Sequence, residues 1–167
     1  MQNKIILLRK KIEEVYSGDP WYGEPFKSIL NGIDPGIALK KEKKGTHNIA
    51  EILAHIIGWR EFLLTRLTGN DFKIEQEETF NWKRIDNNEK TAWKSLLIAL
   101  EETQNKILNI LEKSDDNLLD MPVHEKNYKM EYLIEGIIQH DIYHFGQISL
   151  LKKLTSVAMK RYFALQM

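Results

Sequence analysis

Apolar residues recur along this chain at intervals of three and four, the period of an α-helix, in four long stretches. Over residues 3 to 16, Ile5, Leu8, Ile12 and Val15 make one stripe while Arg9, Lys10, Lys11, Glu13 and Glu14 lie off it, which predicts an amphipathic helix stopped by Gly18-Asp19-Pro20. A second stripe, Ile49, Ile52, Leu53, Ile56, Trp59, Leu63 and Leu67, predicts a helix with Thr46 or Asn48 as N-cap and an end near Gly69-Asn70. A third helix is expected from Asn87 or Asn88 to about Lys113, on Trp93, Leu96, Leu97, Leu100, Ile107, Leu108 and Leu111. The fourth, from about Met130 to Lys153, carries Leu133, Ile137, His140, His144, Ile148 and Leu151 along one face.

Between these stretches the pattern breaks. Residues 21 to 36 are rich in glycine and proline, with aromatics at Trp21, Tyr22 and Phe26. They read as a structured loop with a short helix over Phe26 to Leu30, its aromatics capping a core or lining a pocket mouth. Lys40 to Lys44 reads as a solvated connector, and residues 70 to 87 show no sustained period and read as a crossing connection. Ser114 to Asn127 is a polar break, and Thr155 to Met167 is amphipathic but too short to assign. With no strand alternation, the expected fold is all-α: a four-helix bundle in which two long crossover connections allow a parallel pair of helices.

Length and composition narrow the picture. At 167 residues, one domain spanning 1–167 is expected, long enough to bury a core without staples. Lysine plus arginine balance aspartate plus glutamate at 24 each, so no net basic field favours nucleic acid. There are no cysteines, which excludes disulfides, thiolate ligands and a cysteine nucleophile. The apolar run Ile5 to Leu8 is too short for a signal-peptide core, and no stretch approaches the ~20 apolar residues of a membrane span; a soluble, cytoplasmic protein is expected.

The candidate chemistry lies in His140-Asp141-Ile142-Tyr143-His144-Phe145-Gly146-Gln147. Two histidines four residues apart on a core-facing stripe project into one small volume, a metal-ligand arrangement. A lone histidine on an apolar face is usually a hydrogen-bonded core residue. For a buried pair, Asp141 and Gln147 meet only part of the hydrogen-bonding demand, and the metal reading is favoured. A third ligand must come from His47, His55 or His124. His55 lies on a helix at the edge of its buried stripe, where a ligand would be rigidly held, whereas His47 at the helix entrance and His124 in a loop are more simply exposed polar residues. Neutral imidazoles suit zinc, nickel, copper and ferrous iron, and three of them leave a position open.

The segment His140-Asp141-Ile142-Tyr143-His144-Phe145-Gly146-Gln147-Ile148 resembles the fourth-helix motif H-D-x-Y-H-x-G-Q-I of the DinB superfamily of four-helix proteins. Asn48-Ile49-Ala50-Glu51-Ile52-Leu53-Ala54-His55-Ile56-Ile57-Gly58-Trp59 is similar to that family's S-I-x-E-I-x-x-H-I-x-x-W, and Asp19-Pro20-Trp21-Tyr22-Gly23 to its early W-H-G segment. Tyr22 departs from the common histidine and Asn48 from the common serine; neither change removes a ligand. The resemblance implies a divalent metal, zinc or nickel with iron or manganese as alternatives, held by His55, His140 and His144. It also implies a homodimer, and relatives that include S-transferases and isomerases using low-molecular-weight thiols.

Two function classes follow. One is a metal-dependent transferase or hydrolase acting on a small molecule, with a thiol cosubstrate in the transferase case; the other is a non-catalytic dimeric bundle or binding module with a structural or vestigial metal. His140-Asp141-x-x-His144 superficially matches the H-E-x-x-H of metalloproteases, but aspartate is one methylene shorter, and a supporting or helix-surface role is expected for Asp141. Glu51 is the other acidic candidate, against a solvated-face reading, and Trp59 is either core or a pocket wall beside His55. No catalytic acid or base is assigned.

Overall fold

The computed structural model describes residues 3–41, 43, 45–69, 82, 85 and 89–164, with the backbone alone at 89, 90 and 156–164. Seven helices lie within them: α1 (Lys4–Ser17), α2 (Phe26–Leu30), α3 (Pro35–Leu39), α4 (Ile49–Leu67), α5 (Glu89–Glu112), α6 (Asn117–Asp120) and α7 (Met130–Ala164). Among the described residues there is no strand, only an isolated antiparallel bridge between Pro122 and Lys129. The chain is all-α, as the periodicity predicts. No helix among these residues is long and apolar enough to cross a membrane.

The long helices bury the stripes read from the sequence. Ile5, Leu8, Ile12 and Val15 of α1 are all buried. That helix stops where Gly18 folds its N–H back onto the carbonyls of Glu13 (3.2 Å) and Glu14 (3.0 Å). A Cβ at Gly18 would lie 2.7 Å from Glu14 Cα, so the stop requires glycine. At the other end of α1, the Asp116 carboxylate accepts from the free N–H groups of Lys4 (3.1 Å) and Ile5 (2.9 Å), placing a negative charge on the positive end of the helix.

Each long helix packs against two others: α4 against α5 and α7, and α1 against α5 and α7. Their buried residues form two apolar clusters. One gathers Leu53, Ile56, Trp93, Leu100, Phe145 and Ile148 around the stacked rings of Phe26 and Phe145, whose centroids are 3.4 Å apart. The other gathers Ile5, Leu8, Phe62, Leu63, Ile107, Leu111, Leu133 and Ile134. Along α4 and α5 the chain meets the clusters in the same order, and along α7 in the reverse order, so α4 runs parallel to α5 and antiparallel to α7.

Several local expectations need correction. α7 continues past Lys153 to Ala164, because no glycine or proline follows Gly146 to stop it. The short α3, placed in loop and connector by the sequence pattern, starts at Asp34, whose carboxylate accepts from Ile37 N–H (2.9 Å) with Pro35 in the first turn. Lys41 is not simply solvated, since its ammonium lies 2.8 Å from the Glu51 carboxylate. The expected crossing connection over residues 70 to 87 lies outside the described residues except for Trp82 and Ile85.

Candidate metal centre

α4 starts at a fixed point. The Asn48 side chain accepts from Glu51 N–H (2.8 Å), and the Glu51 carboxylate accepts from Asn48 N–H (3.2 Å), a reciprocal capping box. Glu51 is therefore buried, not solvated. Burial alone would raise its pKa, but hydrogen bonds from Lys41 and Asn48 and the charges of Lys41 and His47 outweigh that and hold it below the ordinary carboxylate value. The acid is committed to starting the helix, and His55 follows one turn later on the α7-facing side.

His140 and His144 meet it from α7. Ring centroids are 5.0 Å apart for His55 and His140, 4.8 Å for His55 and His144, and 4.4 Å for His140 and His144. The Nε2 atoms of His55 and His140 face each other at 3.1 Å. Each of the three rings offers a nitrogen within 4.8 Å of the other two; His55 and His144 are buried and His140 is half-buried. Among the described residues this is the one such group of metal-capable side chains. His47 and His124 stay outside it, with side chains 41% and 60% exposed.

A sequence profile of the DinB superfamily matches residues 24–148, about three quarters of the chain, and takes in all three histidines. The chain belongs to the DinB superfamily. No curated protein matches its sequence.

His144 of this DinB-superfamily chain suits a metal in protonation as well as position. Burial pushes the pKa of His144 below the ordinary histidine value and the neighbouring His140 adds to this, against the opposing effects of Gln147 and Asp141. The ring is therefore neutral at pH 7. Its Nδ1 lies 2.9 Å from Gln147 Oε1, and since an amide oxygen only accepts, Nδ1 holds the proton and Nε2 keeps its lone pair. Two nitrogens bound at ~2.0–2.1 Å to one tetrahedral ion stand about 3.4 Å apart, so the His55–His140 pair at 3.1 Å is already near that spacing, and the full set, whose nitrogens lie within 4.8 Å of one another, closes on an ion by side-chain shifts of about an ångström.

Behind His140 sits a charge pair that the sequence reading did not single out. Asp141 and Arg60, both 2% exposed, are joined by a 2.7 Å bond from Arg60 Nε to Asp141 Oδ2, and Arg60 Nη1 donates to Gln104 Oε1 (3.0 Å). Arg60, Gln104 and Asp141 lie between the two apolar clusters on α4, α5 and α7, a polar layer across the middle of the protein. The second Asp141 oxygen is 3.7 Å from His140 Nδ1, and neither atom has a hydrogen-bond partner. A small ring rotation would place that carboxylate behind His140, the arrangement that orients metal-ligating histidines elsewhere. A helix-surface role for Asp141 is excluded by its burial.

The aromatic surroundings are likewise only partly legible in the sequence. Trp82 stacks flat on His55 (centroids 4.2 Å, planes 4° apart) and its ring also stacks with His47 (3.6 Å, 11°). Trp59 stands edge-on to His55 at 6.4 Å and 5.8 Å from His140, which makes it a wall of the site. Trp82 comes from a stretch without periodicity and carries no local signal for this place. The loop aromatics divide: Phe26 is in the core, while Trp21 is almost fully exposed.

Proposed function

We propose that His55, His140 and His144 hold one divalent metal ion, zinc or nickel ahead of iron or manganese. In this reading the protein is a metal-dependent enzyme acting on a small molecule, by transfer to or from a low-molecular-weight thiol or by hydrolysis. The observation that carries the reading is the convergence of three ring nitrogens from two helices within 4.8 Å. An ion held by three neutral ligands keeps its full charge and supplies Lewis acidity, lowering the pKa of a water or thiol in its remaining position. The chain's own residues do the rest: Gln147 fixes the His144 tautomer, Asp141, anchored by Arg60, would orient His140 once its ring turns toward the second carboxylate oxygen, and Trp59 and Trp82 screen His55 from water. With no cysteine in the sequence, any thiol belongs to a substrate or cosubstrate.

Three protein ligands leave room for a substrate, whereas structural metal sites are closed by a fourth. This favours the enzyme over a structural site. Thiol-dependent turnover of an electrophilic substrate is expected from the metal-loaded wild type and not from His144→Ala; equal turnover in both would remove this site from the chemistry.

We place a homodimer in the same reading. Tyr143, Leu150 and Leu154 follow one face of α7 at spacings of seven and four, each at least half exposed, a stripe that supports burial against a second copy. Sedimentation should show a dimer at micromolar concentration, and a monomer independent of concentration would contradict it.

A further inference from the structure

A cavity of about 190 Å³ opens directly beside His140. Its walls are Trp59, Tyr128, Tyr132, Leu133, Gly136 and Ile137, with His140 at the end nearest the histidine cluster. We propose that this cavity is the subsite for an uncharged, ring-sized apolar part of the substrate, held so that the reacting group reaches the ion side of His140. The inference rests on the histidine cluster being the reacting centre, and adds to it the class of molecule accepted.

Three observations carry it. The first is composition: apart from His140, every lining side chain is aromatic or aliphatic, or is the missing side chain of glycine, and none carries a charge. An anionic or strongly polar group would lose its hydration there without replacement partners. Aromatic faces attract cations as well, yet no carboxylate lines the cavity to neutralise one. The second is size, since apolar cavities of about 150 Å³ take up benzene, so this one holds a single ring with a small substituent.

The third is Gly136. It lies inside α7, where glycine is disfavoured relative to alanine, and its φ is not of the kind that needs glycine. A Cβ built there meets nothing within 4 Å, so no close helix packing demands its absence either. What the missing side chain does is leave the cavity floor open. The mouth is formed by Tyr132, 66% exposed, whose ring lies 5.1 Å from that of Tyr128 at a 44° tilt, two aromatic faces on which a planar guest can stack.

The test is a titration of the full-length protein with benzyl alcohol, which has a ring of the right size and is a poor metal ligand, followed through the NMR signals of the Leu133 and Ile137 methyl groups. Saturable shifts are expected in the wild type. Gly136→Leu, which fills the floor, should weaken binding at least tenfold, and Tyr132→Ala, at an exposed position with little consequence for folding, should weaken it several-fold. Tetramethylammonium should bind more weakly than benzyl alcohol. Absence of saturable shifts, unchanged affinity in Tyr132→Ala, or a preference for tetramethylammonium would overturn the proposal. The titration needs no turnover and no bound ion, so its failure is distinguishable from failure of the metal reading, which metal content of the same samples reports separately.

Discussion

Arg60→Met is expected to lower the free energy of unfolding by about 3–5 kcal/mol, the usual cost of removing one member of a buried ion pair. The cause is what remains. Asp141 would keep its position at 2% exposure and lose its closest counter-charge, and Gln104 Oε1 would lose the donor 3.0 Å away. The flexible apolar methionine fills much of the space, so the loss reports the stranded carboxylate more than a cavity. Replacing both partners, Arg60→Met with Asp141→Leu, should recover most of the stability, because no uncompensated charge is then buried. Urea unfolding of the single and double variants measures both. A single-variant loss below about 1 kcal/mol would mean that the pair is reached by water or that Asp141 finds another partner.

His140→Ala is expected to abolish metal uptake at concentrations that saturate the wild type, a loss of roughly 100-fold or more in affinity. Removing even a carboxylate behind a ligand histidine costs about 10–100-fold, and His140 is the ligand itself in this account. Asp141→Asn should accordingly fall within that smaller range. The metal stabilises only the folded chain, so at 100 times its dissociation constant it should add about 2.7 kcal/mol to wild-type stability and nothing measurable to His140→Ala. Protons compete for the same lone pairs, and uptake should therefore weaken as pH falls. Because burial holds the His144 pKa below its ordinary value, that ring remains available to a lower pH than an exposed histidine would. Isothermal titration with zinc and nickel across pH 5–8 reads both effects, and equal affinity in wild type and His140→Ala would exclude this ligand set.

Much of this was legible in the sequence because it is local. The stripes of α1, α4, α5 and α7 needed only spacing, and so did the shared orientation of His140 and His144. His55 was the better third ligand because it lies on a rigid helix, and the structure brings it to the pair while leaving His47 and His124 outside. Pairings between distant segments were harder. Arg60 falls between Ile56 and Leu63 on one buried stripe and Asp141 between Ile137 and Ile148 on another; two opposite charges on two core faces are a signal, but only the fold makes them partners. Glu51 carried a signal too, since Asn48 followed three residues later by glutamate is close to a capping-box pattern. Five residues of α3 are too few to show a period, and nothing in a stretch without periodicity could place Trp82 on His55.

Whether His55, His140 and His144 hold one ion is read by elemental analysis of the protein purified without added chelator. Close to one equivalent of a divalent metal per chain is expected in the wild type and none in His55→Ala. A wild-type protein that is free of metal and gains no thermal stability from added zinc, nickel or manganese would contradict it.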